Sequence, residues 1–204
     1  MKFLALPTLL AVAFTSGDKP QTLDEALAEV TGEAEVIKVA EPVADLEPEP
    51  VAKTWKCPGC TPNEARTLEF LQERGIYDRA ALATVMGNIK QESKFLTNIC
   101  EGGARVPYHQ CHSGGFGLIQ WTTAGRYRGL GSFARKYDLD PTDLEAQLRW
   151  MVNESQWVRY EPYLKGEGQS IEYYMKHAYA WLGWGIHGAR TQYAYSYYNT
   201  MKLS

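Results

Sequence analysis

The sequence contains no apolar run long enough to cross a membrane. Its most apolar stretch, residues 3–14, is far shorter than the roughly 20 apolar residues that a transmembrane helix needs. A lysine precedes this run, and Thr15, Ser16 and Gly17 follow it, which is typical of a cleaved export signal. No cysteine follows the run, which excludes a lipoprotein signal. Residues 1–17 are therefore predicted to be an export signal, with an apolar tail that docks on a partner as the alternative.

Aromatic residues are absent from residues 18–53. This stretch holds ten acidic and three basic residues and is interrupted by Pro42, Pro48 and Pro50. Such a composition cannot bury enough apolar surface to offset the entropy lost on ordering. We therefore predict a flexible acidic linker over residues 18–53, followed by one folded domain over residues 54–204.

Clusters of basic residues are also missing. Residues 54–204 contain seventeen basic and fourteen acidic residues, a mildly cationic balance that favours anionic polymers such as cell wall or nucleic acid. The domain has no Lys/Arg cluster and no RNA-binding fingerprint, which argues against nucleic acid.

Cysteine is scarce, with four residues that allow three pairings. We predict the two local disulfides, Cys57 with Cys60 and Cys100 with Cys111, because each would close a turn or loop before a structured element. A redox CxxC motif would need a βαβ context, and a zinc ribbon would need a second close cysteine pair. The two histidines near Cys111 match no standard zinc pattern. No metal site and no cofactor are therefore predicted.

Strands with period-2 alternation are lacking, whereas helix-start patterns recur after Cys60. We predict a mainly α, single domain with little β structure. The predicted helices run from Pro62 to Arg74 with a stop at Gly75, from Asp78 to about Glu92, from Thr122 or Thr123 to Tyr137, from an opening at Asp140–Asp143 through Met151, from Ser170 to about Leu182, and from Gly188 to Met201.

Glu92 is the candidate catalytic residue at the end of the second predicted helix. It lies seven positions after Val85, so its carboxylate should point to the apolar side of that helix. Burial and the unsatisfied carbonyls of a helix C-terminus both raise a carboxyl pKa. A glycosidase general acid needs such a raised pKa to keep its proton near neutral pH. The alternative is an exposed glutamate at a fraying helix end.

A glycine-rich motif, residues 114–121, forms the second candidate element. Its glycines permit a chain to approach a ligand closely. The Gln120 amide can donate to and accept from a hydroxyl or an N-acetyl group, and Trp121 can cover a sugar face. The alternative is a turn that enters a buried segment.

Segments 88–93 and 115–121 together resemble the phage tail lysozyme domain, a member of the lysozyme-like superfamily. The resemblance continues through residues 144–154 and 188–194 and spans about residues 63–201. It implies a lysozyme-like fold and cleavage of the β-1,4 bond between the amino sugars of peptidoglycan, with Glu92 as the general acid. It also implies a phage protein that breaches a host wall, secreted, periplasmic or carried by the virion with other virion proteins. The candidate substrate-binding residues in the matching segment are Gly115, Phe116, Gly117, Gln120 and Trp121.

Glycosidases usually need a second carboxylate beside the general acid. Glu101 follows Cys100, and a Cys100–Cys111 disulfide would hold its loop near the groove, so we predict that Glu101 assists. A lytic transglycosylase that uses Glu92 alone remains an alternative. Two further alternatives are a virion structural or adaptor protein that keeps this fold without turnover, and a module that grips glycan without cleaving it.

Overall fold

The computed structural model describes residues 54–112 and 114–204. The predicted export signal at 1–17 and the predicted linker at 18–53 lie outside the described residues. Within them the fold is mainly α, as predicted. The elements are β1 (Trp55–Lys56), α1 (Pro62–Glu73), α2 (Arg79–Ser93), a single 3-10 turn (Tyr108–Gln110), α3 (Ala124–Lys136), α4 (Leu144–Asn153), α5 (Ser155–Leu164), α6 (Ile171–Leu182), α7 (Arg190–Thr200) and β2 (Lys202–Leu203).

Local sequence sets where most of these helices begin. Thr61 and Glu64 form the predicted capping box of α1, with Pro62 in its first turn. The side chains of Asp78, Thr123 and Ser170 accept hydrogen bonds from the backbone at the starts of α2, α3 and α6. Each cap satisfies a backbone N–H that has no partner inside its helix, so these boundaries follow from a few adjacent residues.

Helix α2 is the central element of the core. Every residue from Ala80 to Ile89 is buried, which a ten-residue run achieves only when neighbouring elements surround the helix. Its closest neighbour is α7. A Cβ atom at Gly87 would lie 2.5 Å from the backbone nitrogen of Ala194, so glycine is required for the two backbones to approach this closely.

Helix α5 was missed by the sequence prediction. It begins two residues after α4 ends and carries Pro162 within its last turns, which breaks the local helix pattern. Tertiary packing supports it nonetheless. The Trp157 ring packs edge-on against Trp181 at 5.0 Å, and Tyr160 stacks on the same Trp181 at 5.4 Å. Aromatic burial against α6 thus outweighs the weak helix propensity of this segment.

The β structure is limited to two short strands in the described part of the chain. Strands β1 and β2 pair antiparallel, with Trp55 opposite Leu203 and Lys56 opposite Lys202. This pairing brings the two ends of the described domain together. No helix in residues 54–112 or 114–204 has both the length and the apolar character that membrane crossing requires.

Candidate active site

The last turn of α2 carries Glu92, and the residue after it fixes how this helix ends. The Ser93 hydroxyl donates a hydrogen bond to the carbonyl oxygen of Leu118 at 2.7 Å and accepts one from the backbone of Phe95 at 3.1 Å. Lys94 and Phe95 then adopt the left-handed conformation and turn the chain away from the helix axis. Ser93 therefore ties the candidate catalytic helix to the glycine-rich segment 115–121.

The Glu92 carboxyl group is nearly enclosed, with 15% of its side chain exposed. Its partner is Arg190, the first residue of α7, whose Nη2 atom donates to Oε1 of Glu92 at 2.5 Å. Arg190 is itself buried and also donates to the backbone and side-chain oxygens of Asn88, both at 3.4 Å. The candidate acid thus lies at the contact between α2 and α7.

Burial raises the pKa of Glu92 above its ordinary value, while the charges of Arg190 and Arg126 oppose this rise. The pKa of Glu92 is raised overall, as the sequence analysis predicted. The two arginines are the part that sequence reasoning missed. They matter chemically because the carboxyl group of Glu92 meets cations when it loses its proton.

A second buried carboxyl group behaves in the opposite way. Glu64 on α1 accepts hydrogen bonds from Lys90 Nζ at 2.7 Å, from the Thr61 backbone at 2.7 Å and from the Tyr197 hydroxyl. Burial raises the pKa of Glu64, but these donors outweigh burial and lower the pKa to about 2. The fold therefore keeps Glu64 ionised and favours the protonated form of Glu92. The two carboxyl groups differ in this way even though Lys90, which binds Glu64, is only two residues from Glu92 in the sequence.

The segment 115–121 forms a tight turn held by backbone hydrogen bonds. The Gly117 amide donates to Ile99 at 2.8 Å, and the Trp121 amide donates to Phe116 at 3.0 Å. Gly117 has a φ of 70°, and a Cβ atom there would lie 2.7 Å from the amide group of Gln147. The required glycine lets Gln147 pack directly against the turn.

Gln147 on α4 is a supporting residue that the sequence analysis did not select. Its Oε1 atom accepts from the Leu118 amide at 2.7 Å, and its Nε2 atom donates to Thr97 and Pro141 at 2.6 and 2.8 Å. The side chain is completely buried. One side-chain amide thereby provides hydrogen-bond partners for three backbone groups. The feature of the sequence that could have identified Gln147 was a glutamine at a buried position of a helix.

Two candidate substrate-binding residues point inward. Phe116 and Trp121 are both 0% exposed, so neither ring can lie against a sugar in this structure. The Trp121 indole instead donates to Glu154 Oε2 at 2.8 Å. The expectation that Trp121 covers a sugar face does not agree with this burial, because the tight turn directs both aromatic side chains into the core.

Glu154 and Arg126 form a buried ion pair beside this segment. Arg126 donates through Nε and Nη2 to the two carboxylate oxygens of Glu154 at 2.7 and 2.8 Å. Arg126 also lowers the pKa of Glu92, so its charge acts on both carboxyl groups. Sequence reasoning missed this pair because its members are 28 residues apart, with Arg126 on α3 and Glu154 between α4 and α5.

Gln120 is half-buried and has a left-handed φ of 52°. Its Nε2 atom donates to the carbonyl oxygens of Gly117 at 3.0 Å and Ile99 at 3.3 Å. The amide nitrogen therefore stabilises the turn, and a contact with substrate would fall to the amide oxygen.

Glu101 and Gly115 are brought together by two hydrogen bonds. The Gly115 amide donates to Glu101 Oε2 at 2.9 Å, and the Glu101 amide donates to the Gly115 carbonyl at 2.7 Å. The adjacent cysteines pair as predicted, Cys100 with Cys111, and Cys57 pairs with Cys60. Glu101 is exposed on this cross-linked loop. Its role as a second carboxylate stays a prediction.

The described part of the chain holds no group of three or more His, Cys, Asp or Glu side chains suited to a metal ion. No curated protein matches the chain. The family model for phage tail lysozyme matches residues 62–201, which cover every helix of the domain and all of the candidate site residues except Cys57 and Cys60. The chain therefore belongs to the phage tail lysozyme family.

Proposed function

We propose that this protein cleaves the β-1,4 glycosidic bond between N-acetylmuramic acid and N-acetylglucosamine in peptidoglycan, with Glu92 as the general acid. The enclosed Glu92 carboxyl group carries the proposal, because its burial favours the protonated form that a leaving oxygen requires. Membership of a lysozyme-like family supports peptidoglycan as the substrate.

Arg190 also has a role after Glu92 has given up its proton. When Glu92 transfers its proton to the glycosidic oxygen, a carboxylate forms within 2.5 Å of the Arg190 guanidinium. That charge-assisted hydrogen bond stabilises the ionised form which a buried site alone would disfavour. Glu92 can then accept a proton again from the attacking nucleophile.

The attacking group distinguishes two reactions. In hydrolysis, Glu101 or Glu92 takes a proton from water, and the water oxygen bonds to the anomeric carbon to give a reducing end. In a transglycosylase reaction, the substrate's own C6 hydroxyl attacks, Glu92 receives its proton, and a 1,6-anhydro end forms. We propose hydrolysis assisted by Glu101. Wild-type turnover by Glu101→Gln protein would remove Glu101 from the mechanism.

We propose that a phage uses this activity to breach the host wall, with the protein exported or carried in the virion. An adaptor that keeps the fold without turnover is the competing function. The enclosed carboxyl group of Glu92 supports the enzyme.

Digestion of purified peptidoglycan by the full chain tests the proposal. Wild type, Glu92→Gln and Glu167→Gln are compared, and released fragments are identified by mass spectrometry. Glu167 is the matched control, because it undergoes the same chemical change at an exposed position. We expect fragments with reducing ends from wild type and from the control, and a loss of about a thousandfold or more in Glu92→Gln. No release by folded wild-type protein would leave the adaptor function instead.

A further inference from the structure

The loop between α6 and α7 lies directly beside the candidate acid. The Ala189 amide donates to Gln91 Oε1 at 2.9 Å, one residue before Glu92. A Cβ atom at Gly188 would lie 2.7 Å from the same Gln91 side chain, so the loop backbone is in close contact with the end of α2. The loop, residues 183–189, therefore forms part of the surroundings of Glu92.

Trp184 on this loop contacts the arginine that binds Glu92. Its ring lies 4.6 Å from the guanidinium carbon of Arg190, a cation–π contact, and Arg190 donates to Glu92 at 2.5 Å. The rings of Tyr179 and His187 pack edge-on at 5.2 and 5.8 Å and restrict its orientation. One guanidinium thus separates this indole from the candidate acid.

Exposure distinguishes Trp184 from Trp121, the predicted sugar contact, and from Trp181 at the end of α6. Trp121 and Trp181 are buried in the core, whereas Trp184 is half-buried. Arg190 occupies one face of the Trp184 ring, so a ligand would pack on the other face. Two residues further along the loop, Ile186 is 84% exposed and adds apolar surface to the same loop.

We propose that Trp184 is a sugar-binding residue, which packs against the apolar face of an amino sugar of the glycan strand beside the bond to be cleaved, with Ile186 at the edge of the same contact. This inference rests on the proposed function and assigns its substrate contact to the loop 183–189. A rigid indole with a half-buried ring suits the C–H face of a sugar at low entropic cost. Arg190 then links the sugar contact to the orientation of the Glu92 carboxyl group.

Binding in a background that cannot cleave tests the proposal. In full-length Glu92→Gln protein, affinity for β-1,4-linked N-acetylglucosamine hexamer and for sonicated peptidoglycan glycan strands is measured by calorimetry. We expect Trp184→Ala to weaken binding by about tenfold and Ile186→Ser by about threefold, which correspond to about 1.4 and 0.7 kcal/mol. Trp184→Phe should recover part of the affinity.

Trp55→Ala is the matched control. Trp55 is also half-buried and also packs against an arginine, with Arg79 at 4.9 Å, but it lies on β1. Its removal should leave the affinity unchanged. Ile186→Ser separates loss of binding from loss of folding, because an exposed side chain contributes little to stability.

Affinities of Trp184→Ala and Ile186→Ser equal to that of their parent would overturn this inference. Cleavage by Glu92→Gln protein would overturn the proposed catalytic role while leaving the binding result valid. The two failures are therefore distinguishable.

Discussion

Arg190 and Glu92 are 98 positions apart in the chain, yet the arginine Nη2 atom lies 2.5 Å from the glutamate Oε1 atom. Because the pair is buried, two opposing influences act on the pKa of Glu92. The guanidinium favours the carboxylate, burial favours the neutral acid, and burial prevails. A group balanced in this way can give up a proton and regain it, which is what a general acid must do.

Replacement of Arg190 should raise the pKa of Glu92 further, because an influence that lowers it is removed. A general acid is active when protonated, so the alkaline limb of the rate profile should move to higher pH. For Arg190→Gln we expect a displacement of about one pH unit, together with a lower maximal rate. The measurement is kcat/KM for peptidoglycan between pH 4 and pH 9. An unmoved alkaline limb would contradict electrostatic control of Glu92 by Arg190.

Stability should respond to pH in opposite ways at Glu92 and Glu64. A raised folded-state pKa means that the Glu92 contribution to stability is present below the ordinary value of 4.5 and is lost as pH rises through the folded-state pKa. A pKa lowered to about 2 means that the Glu64 contribution is present above 4.5 and is lost as pH falls toward 2.

Thermal unfolding of wild type, Glu92→Gln and Glu64→Gln across pH 2 to 8 measures both effects. Relative to wild type, Glu92→Gln should gain stability as pH rises above 4.5. Glu64→Gln should be less stable than wild type at neutral pH, and this deficit should shrink below pH 4.5. Parallel curves for the two variants would show that the two environments do not differ as the contacts indicate.

Trp121→Phe should affect stability rather than sugar binding. The indole donates to the buried Glu154 carboxylate, and a phenyl ring cannot. Because hydrogen bonds to charged groups contribute about 1.5–3 kcal/mol, we expect the free energy of unfolding to fall by about 2 kcal/mol. Glycan affinity in the Glu92→Gln background should stay within about twofold. A tenfold loss of affinity would restore the direct sugar contact that the sequence suggested.

Gln147→Leu should weaken the turn that carries the glycine-rich motif. The change leaves the Leu118 amide and the Thr97 and Pro141 carbonyls without their side-chain partner. Each buried unsatisfied group costs about 1–3 kcal/mol, so we expect a loss of at least about 3 kcal/mol in denaturant unfolding. Peptidoglycan cleavage by protein that is still folded should fall as well. Ser93 binds this turn, and Glu92 is the residue next to Ser93 in the sequence. Gln147→Glu keeps the acceptor and should retain the Leu118 contact.

Periodicity and caps predicted six of the seven helices in the described part of the chain, including the position of Glu92 at the end of α2. These features depend on residues within one or two turns of each other, which a sequence displays directly. Helix α5 depends on packing of Trp157 and Tyr160 against Trp181, more than twenty residues away. Its local pattern, with Pro162 inside, gave no comparable indication.

The sequence by itself determined the approximate positions of six helices, the two motifs at 88–93 and 115–121, the two local disulfides and the upward direction of the Glu92 pKa. Only the tertiary structure decided which cations meet Glu92, which aromatic residues face inward, and that Trp184 rather than Trp121 lies half-exposed near the acid. The physical reason is that hydrogen bonds and burial at this site join residues from separate elements. Their proximity is created by the packing of α2 against α7, which no local pattern specifies.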